Sequence, residues 1–163
     1  MVDLGKKSYL QILFFLSFLI LISALTIQYI LGYQPCNLCI IERIPYGLAI
    51  IILILNHLFK KDQLFYTILL ILVFSFSIII SVYHFGIEQG FIEESTVCAS
   101  QNIDLMTKEQ ILNSLKELNI SCKNVAFRIF GLSLTTYNLF ASILMLIMSL
   151  KILSLNSNHD IKK

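Results

Sequence analysis

Gln34-Pro35-Cys36-Asn37-Leu38-Cys39-Ile40-Ile41-Glu42-Arg43 is wedged between two long apolar runs, and the lengths of those runs settle what kind of chain this is. No residue from Ser8 to Leu31 carries a charge. A cleavable signal has an apolar region of about 7 to 15 residues and a bilayer span needs about 20, so the first run predicts a transmembrane helix. Beyond the Cys-x-x-Cys, apolar character resumes at Ile44 and ends at Phe59, before Lys60-Lys61-Asp62. That run is too short to cross a bilayer alone. A helix beginning near Pro35 and bent at Pro45, whose missing amide cannot bond to Ile41, supplies the length. Leu64 to about Gly86 gives a third span and Leu132 to Leu153 a fourth, separated by the polar segment from Ile87 to Gly131. The expected fold is an all-α membrane protein with one integral membrane domain over residues 1–163. It is a four-transmembrane-helix bundle with spans at about 8–31, 35–59, 64–86 and 132–153, and loops at about 32–43 and 87–131. The tail from Ser154 to Lys163 is expected to be polar and frayed.

Composition agrees with this reading. Of 163 residues, 57% are hydrophobic and 13% charged, with a mean hydropathy of +0.82, too apolar for the surface of a water-soluble domain. A net charge of +2, with no basic patch interleaved with aromatics, argues against a nucleic-acid partner. No repeat of fixed period and no low-complexity segment is present.

Lysines orient the spans. Lys6, Lys7, Lys60, Lys61, Lys151, Lys162 and Lys163 fall on one side of a four-span chain, which the positive-inside rule makes cytoplasmic, together with both termini. The long loop gives no opposing signal: Lys108, Lys116, Lys123 and Arg128 stand against Glu88, Glu93, Glu94, Asp104, Glu109 and Glu117. Both cysteine-bearing loops then face the periplasm or exterior, where disulfides persist. His57 and His159 fall on the cytoplasmic side, away from any thiol. Within the second loop, Thr107-Lys108-Glu109-Gln110 fits a capping box with Met106 and Ile111 placed as a staple. Ile111, Leu112, Leu115 and Leu118 then line one face of a short amphipathic helix, expected to pack on the bundle or the headgroups.

The chemistry lies in four thiols. Cys36 and Cys39 stand near a helix start, where unpaired amides favour an anionic sulfur, and Arg43 is one turn beyond Cys39. Such a thiol is ionised at neutral pH and leaves readily. Cys98 and Cys122 are separated by 23 residues, and a link between them would restrain that loop by about 3 kcal/mol on chain-entropy grounds. Three readings compete. As structural staples, Cys98 and Cys122 are plausible, but a bridge from Cys36 to Cys39 constrains little and is strained at a helix start. As a four-thiolate metal site, the set lacks the second close pair usual for zinc or iron–sulfur. As two exchanging redox pairs, both spacings make sense. Elsewhere, Ser77, Ser81 and His84 share one face of the third span, and Asn138, Ser142 and Ser149 one side of the fourth. Small and polar residues at such spacing point to helix–helix packing rather than a ligand lining.

Gln34-Pro35-Cys36-Asn37-Leu38-Cys39-Ile40-Ile41-Glu42-Arg43-Ile44-Pro45-Tyr46, with Tyr83-His84-Phe85-Gly86-Ile87-Glu88 before Cys98 and Gly131-Leu132-Ser133 with Asn138 after Cys122, resembles the DsbB family of disulfide bond formation proteins. The similarity runs in order along nearly the whole chain, and the Gln-Pro-Cys-x-Leu-Cys-x-x-Glu-Arg block is its specific part. The resemblance implies a bacterial inner-membrane enzyme that reoxidises a periplasmic DsbA-like thiol oxidase and passes the electrons to a membrane quinone, ubiquinone or menaquinone. It implies that Cys98 forms the mixed disulfide with the partner, that Cys122 is its paired thiol, and that Cys36 exchanges with that loop pair. Cys39 would then face and contact the quinone, and Arg43 would hold its head group. His84 is the candidate for the histidine that the family places near the quinone, against the alternative of a histidine satisfied at a helix end. Glu42 is expected to orient the loop or to pair with Arg43 rather than to transfer protons. A partner as oxidising as about −120 mV needs a sink beyond glutathione, which a lipid-soluble quinone provides.

Two other classes stand beside this one. The vitamin K epoxide reductase-like enzymes also couple a Cys-x-x-Cys to quinones, but their active pair sits late in the bundle, whereas this one follows the first span. The other is a non-enzymatic membrane protein using its cysteines as ligands or staples.

Overall fold

In a bilayer, a backbone amide or carbonyl without a partner costs several kcal/mol, so apolar runs of this length satisfy their hydrogen bonds internally as helices. The computed structural model describes residues 2–59, 62–93, 122, 128–129 and 131–160. Its elements are α1 (Val2–Tyr29), α2 (Asn37–Ile41), α3 (Ile44–Leu58), α4 (Gln63–Glu88), β1 (Arg128–Ile129), β2 (Leu132–Ser133) and α5 (Leu134–Asp160). Four segments are long and apolar enough to cross a membrane: Gly5–Tyr29, Asn37–Leu58, Gln63–Glu88 and Leu134–Asn156. The protein is a multi-pass membrane protein built as a four-helix bundle.

Each helix turns a seam of residues spaced alternately three and four apart toward its neighbours, the spacing of left-handed knobs-into-holes packing. In α4 the seam is Thr67, Leu70, Phe74, Ser77, Ser81 and His84, and in α5 it includes Thr135, Ser142, Met145, Ser149 and Ile152, all buried. Tyr46, Ala49, Leu53 and Asn56 do the same for α3, and Leu13 with Ser17 for α1. Leu13, Tyr46, Ala49, Leu53, Leu70, Phe74, Met145 and Ile152 form the continuous apolar core. Ring order follows: α1 lies against α3 and α5, and α4 lies against the same two. The opposite faces carry exposed Phe15, Leu19, Ile51, Leu72, Ile79, Phe140 and Ile147, which water would penalise and acyl chains would not.

Small hydroxyl-bearing residues let the backbones approach and bond across the contact. Ser77 Oγ lies 2.9 Å from Ser142 Oγ, and that oxygen lies 2.9 Å from the Tyr46 hydroxyl. Asn138 donates from Nδ2 to Ser81 Oγ at 2.8 Å and accepts from the Tyr46 hydroxyl. At the far end Lys6 donates to Gln63 and Asn156, tying the beginnings of α1 and α4 to the end of α5. All the cysteines among the described residues lie at the other end.

Several boundaries differ from those expected. The second span is two helices: the backbone breaks at Glu42 and Arg43, and Pro45 sits in the first turn of α3 rather than at a bend within one helix. A proline is tolerated there because first-turn amides have no helical partner. α1 begins at Val2, so Lys6 and Lys7 are helical, and α5 continues to Asp160 through the segment expected to fray. Leu132 and Ser133 belong not to the fourth span but to a short antiparallel hairpin, pairing with Ile129 and Arg128. Gly131 at φ 82° supplies the left-handed turn residue. The expected amphipathic helix at 107–118 lies outside the described residues, as does Cys98.

Removing the Asn138 side chain tests the interhelical bonds. Asn138→Ala should cost about 1 kcal/mol, the usual scale for such bonds in membranes. Ser77→Leu should cost about 1–3 kcal/mol by overpacking the α4–α5 seam. Both are read as lowered midpoints of unfolding in mixed detergent micelles.

Candidate functional site

At the cysteine-bearing end the chain leaves α1, turns through Gly32 at φ 76°, and reaches Cys36 in extended conformation as the N-cap of α2. There the Cys39 amide donates to the Cys36 sulfur at 3.3 Å, so the thiol takes the place that a serine or aspartate oxygen takes at other caps. Because Cys39 follows by three residues, its own sulfur returns to the same side, 2.7 Å from that of Cys36. Both are free thiols, and a small shift would bring them to bonding distance.

Past α2 the backbone tightens. Glu42 bonds back to Leu38 at 2.9 Å and Arg43 to Ile40 at 3.1 Å, and the helical pattern resumes at Gly47, bonded to Arg43 at 3.2 Å. Glu42 is thereby turned inward and left only 6% exposed. Its Oε1 lies 3.2 Å from Nδ1 of His84, and the other ring nitrogen, Nε2, lies 3.5 Å from Cys36 Sγ. Thr135 Oγ1, at 3.4 Å from Nδ1, meets the ring from α5. Arg43 turns the other way and donates from Nη1 to the side-chain oxygen of Gln28 in α1. The expected pairing of Glu42 with Arg43 is therefore replaced by two separate pairs, because the tightened turn sends the adjacent side chains to different helices.

Cys36, Leu38, Ile87 and Cys122 form a buried cluster, with Cys39 and Tyr83 packed at its edge. Cys122 is disulfide-bonded. Beside this cluster opens a cavity of about 610 Å³. Leu16, Ile20, Ala24 and Ile27 of α1 and Ala141 of α5 give it apolar walls. Cys36, Cys39, Cys122, Glu42, Arg43, Tyr46 and His84 converge at its polar part. Volume, apolar walls and a few converging polar groups are the usual features of a small-molecule site.

Of the six residues singled out from sequence, the fold brings Cys36, Cys39, Cys122, Arg43 and His84 to this one cavity, and Cys98 lies outside the described residues. Sequence reasoning gave no role to Gln28, Thr135 or Tyr46, the last of which closes the quoted motif. Gln28 carried a signal, since a lone amide near the end of an uncharged span is costly without a partner. The other two become visible only when helices from distant parts of the chain are packed.

The Cys36 thiol, just outside the membrane-spanning segment, is lowered from 9.0 to about 5. The hydrogen bond with the Cys39 thiol is the main cause. Burial opposes it, and the His84 ring adds to it by hydrogen bond and charge. The ligand atoms of Cys36, Cys39 and His84 lie within 4.8 Å of one another, as a metal site would require. The sulfurs, however, are 2.7 Å apart. Two thiolates on one tetrahedral zinc would stand about 3.8 Å apart given Zn–S of about 2.3 Å. The spacing suits a dithiol that closes to a disulfide.

The family model described as "Disulfide bond formation protein DsbB" matches residues 6–152. An uncharacterized protein of Rickettsia prowazekii (strain Madrid E) is 35% identical over 142 residues, 83% of this chain and 81% of that protein. The SPbeta prophage-derived disulfide bond formation protein B of Bacillus subtilis (strain 168) is 40% identical over 85 residues, 50% of this chain and 54% of that one. No solved structure matches.

The lowered Cys36 thiol has a direct consequence. It is a thiolate above about pH 5 and a thiol below, so its alkylation in the reduced protein should stay nearly level from neutral pH down to about pH 6 and fall tenfold per unit below 5. Peptide-resolved mass spectrometry of iodoacetamide labelling across that range checks this, and an inflection near the unshifted value of 9.0 would contradict it.

Proposed function

The chain belongs to the DsbB family of disulfide bond formation proteins, and from that premise we propose that it reoxidises a periplasmic DsbA-like dithiol protein and delivers the electrons to a membrane quinone. The coarser activity, that of a disulfide-forming membrane oxidoreductase, follows from the family itself. In the finer reading Cys98 and Cys122 form the pair that exchanges with the partner, and Cys36 and Cys39 form the pair that exchanges with the loop. The termini are cytoplasmic and the cysteines periplasmic, as the lysines at the Lys6 end of the bundle favour.

The observation that carries the reading is the position of the free Cys36–Cys39 pair, which packs with the buried, disulfide-bonded Cys122 and lines the apolar cavity beside it. Thiol exchange needs a thiolate aligned with a disulfide sulfur, and a quinone needs an apolar berth with polar groups at its head. Both demands meet at one dithiol. The residues fit the group: the α1 wall suits an isoprenoid-bearing ring, and Arg43, steadied by Gln28, stands where a carbonyl oxygen would be received. When bound, a quinone accepts two electrons and two protons.

The chain's own residues do the rest. Cys36, in its disulfide with Cys39, is the sulfur that exchanges with the reduced loop pair, and it leaves as a thiolate. Cys39 carries the electron pair on the cavity side, and the apolar walls keep water from the sulfurs. Arg43 offers a positive charge in a region of low dielectric, where it acts strongly on any developing anion.

Cys36→Ser and Cys39→Ser should each abolish quinone-dependent oxidation of a DsbA-like dithiol by the purified protein, followed by quinone absorbance. Retained turnover would refute the relay. Cys98→Ala should block partner oxidation while leaving the Cys36–Cys39 pair reactive toward added quinone, and normal partner oxidation by that variant would show the order to be wrong. Arg43→His should raise the apparent KM for quinone about tenfold or more, the loss of roughly one charge-assisted hydrogen bond, with little change in partner affinity. A change in partner affinity alone would remove Arg43 from the quinone site.

A further inference from the structure

Glu42 is a carboxylate buried within a membrane-spanning segment, a place where an ionisable group is costly and persists only with a specific partner. Its Oε1 is 3.2 Å from His84 Nδ1, and His84 Nε2 is 3.5 Å from Cys36 Sγ. The three groups come from separate segments, the turn after α2, the end of α4 and the cap of α2, so their line is a product of the fold. A carboxylate on one nitrogen of an imidazole fixes which nitrogen faces outward and which tautomer it adopts. Thr135 Oγ1 at 3.4 Å from the same Nδ1 closes that side of the ring, leaving Nε2 directed at the sulfur.

We propose that Glu42 is a positioning residue for thiol exchange: through Nδ1 it holds the His84 ring with Nε2 against the Cys36 sulfur, so that Cys36 is expelled as a thiolate opposite an N–H donor. The proposal rests on the relay described above and assigns His84 to the sulfur nearer the loop rather than to the cavity ligand alone. The exchange balances without any further oxidant. A loop thiolate attacks the Cys36 sulfur of the Cys36–Cys39 disulfide; one S–S bond forms, one breaks, and Cys39 takes the electron pair. The second loop thiolate then attacks the loop sulfur of that mixed disulfide, closing the loop disulfide and expelling Cys36 with its electron pair. The loop dithiol is oxidised and the Cys36–Cys39 pair reduced. Of the two protons given up, one rests on His84 Nε2, facing the Cys36 thiolate, and the other on the Cys39 sulfur.

The other ionisable groups around this line are Cys39, Tyr33, Arg43, Tyr46, Glu88 and Tyr137 at the cavity and Tyr83 against the cysteine cluster. Arg43 is engaged by Gln28, and Glu88 accepts from Ser133 Oγ at 2.8 Å. Cys122, being disulfide-bonded, does not titrate. None of them bridges Glu42 to Cys36 as His84 does.

The test is the pH profile of Cys36 alkylation in the reduced full-length protein, compared among Glu42→Leu, Glu42→Gln, His84→Phe and the Glu42→Leu/His84→Phe double variant. At about pH 6, Glu42→Leu should slow Cys36 labelling roughly fivefold or more and move the inflection upward, as should His84→Phe. The double variant should be no slower than the slower single, and Glu42→Gln, which keeps an acceptor for Nδ1, should fall between wild type and Glu42→Leu. An unshifted profile in folded Glu42→Leu, or additive losses in the double variant, overturns the proposal. Should Glu42→Leu not fold, Glu42→Gln alone decides, and an unshifted profile again overturns it. Labelling requires neither quinone nor partner, so a failed turnover assay sinks the relay whereas an unshifted profile sinks the role of Glu42.

Discussion

In a continuous second span the amide of residue 45 would bond to the carbonyl of Ile41; proline has no hydrogen to offer, and its ring presses on that carbonyl. The helix answers by ending early. Arg43 bonds to Ile40 rather than to residue 39, and a regular helix resumes only from Ile44. From that break the site follows. α2 becomes a five-residue turn of helix with Cys36 at its cap, Glu42 swings toward α4 and Arg43 toward α1. The same constraint separates two oppositely charged neighbours that would pair in a loop and gives each a task on a different helix.

The bilayer makes those pairings obligatory. Water cannot reach into the bundle to satisfy a stray carboxylate or amide, so polar side chains gather where they can bond to one another. Among the described residues two of the groups they form join three or more helices. One runs from Cys36 through His84 and Glu42, with Tyr46, Asn138, Ser81, Ser77 and Ser142 beneath. The other joins Lys6, Gln63, Asn156 and Thr67 at the far end. Between them lie Leu53, Leu70, Phe74 and Met145, an apolar layer of the core that bears no ionisable group. Ser149, within reach of that layer, bonds to the Met145 carbonyl of its own helix at 2.9 Å. The redox end is thereby insulated from the opposite end by packing.

How far the sequence foretold this depends on the range of the forces involved. The four spans were legible because their length and apolarity answer to one local quantity, the thickness of the hydrocarbon. The break before Pro45 was legible in kind and displaced by a few residues, since a proline is as comfortable in a first turn as at a kink. The hairpin around Gly131 was not, because two-residue strands carry no periodicity. Cys36, Cys39 and Arg43 stood out as a contiguous motif, and His84 as a lone imidazole near a span end. The Glu42–His84 pair did not, for it joins residues 42 positions apart and depends on how α2 is set against α4. Gln28 could have been suspected from its cost in lipid, but its partner could not.

The two thiols of the Cys-x-x-Cys are unequal, and their inequality bears on the direction of exchange. Cys36 receives the Cys39 amide, the Cys39 thiol and the His84 ring, which makes it the better leaving group. On that ground alone an incoming thiolate should attack Cys39 and expel Cys36. That preference is reduced on this course, because the Cys39 thiol that does most to lower Cys36 is then itself held in the mixed disulfide, which leaves the Cys39 amide and the His84 ring to stabilise the departing sulfur. Position pulls the other way: Cys36 shares a buried cluster with Cys122, while Cys39 packs only at its edge. Proximity therefore supports the proposed course, in which the loop thiolate meets Cys36 first. On that course the stabilisation of Cys36 would act one step later, when it is expelled from the mixed disulfide, and a thiolate so stabilised is a poorer nucleophile for reversal. In the proposed relay, proximity sets where exchange begins, and the donors around Cys36 set the direction in which it ends.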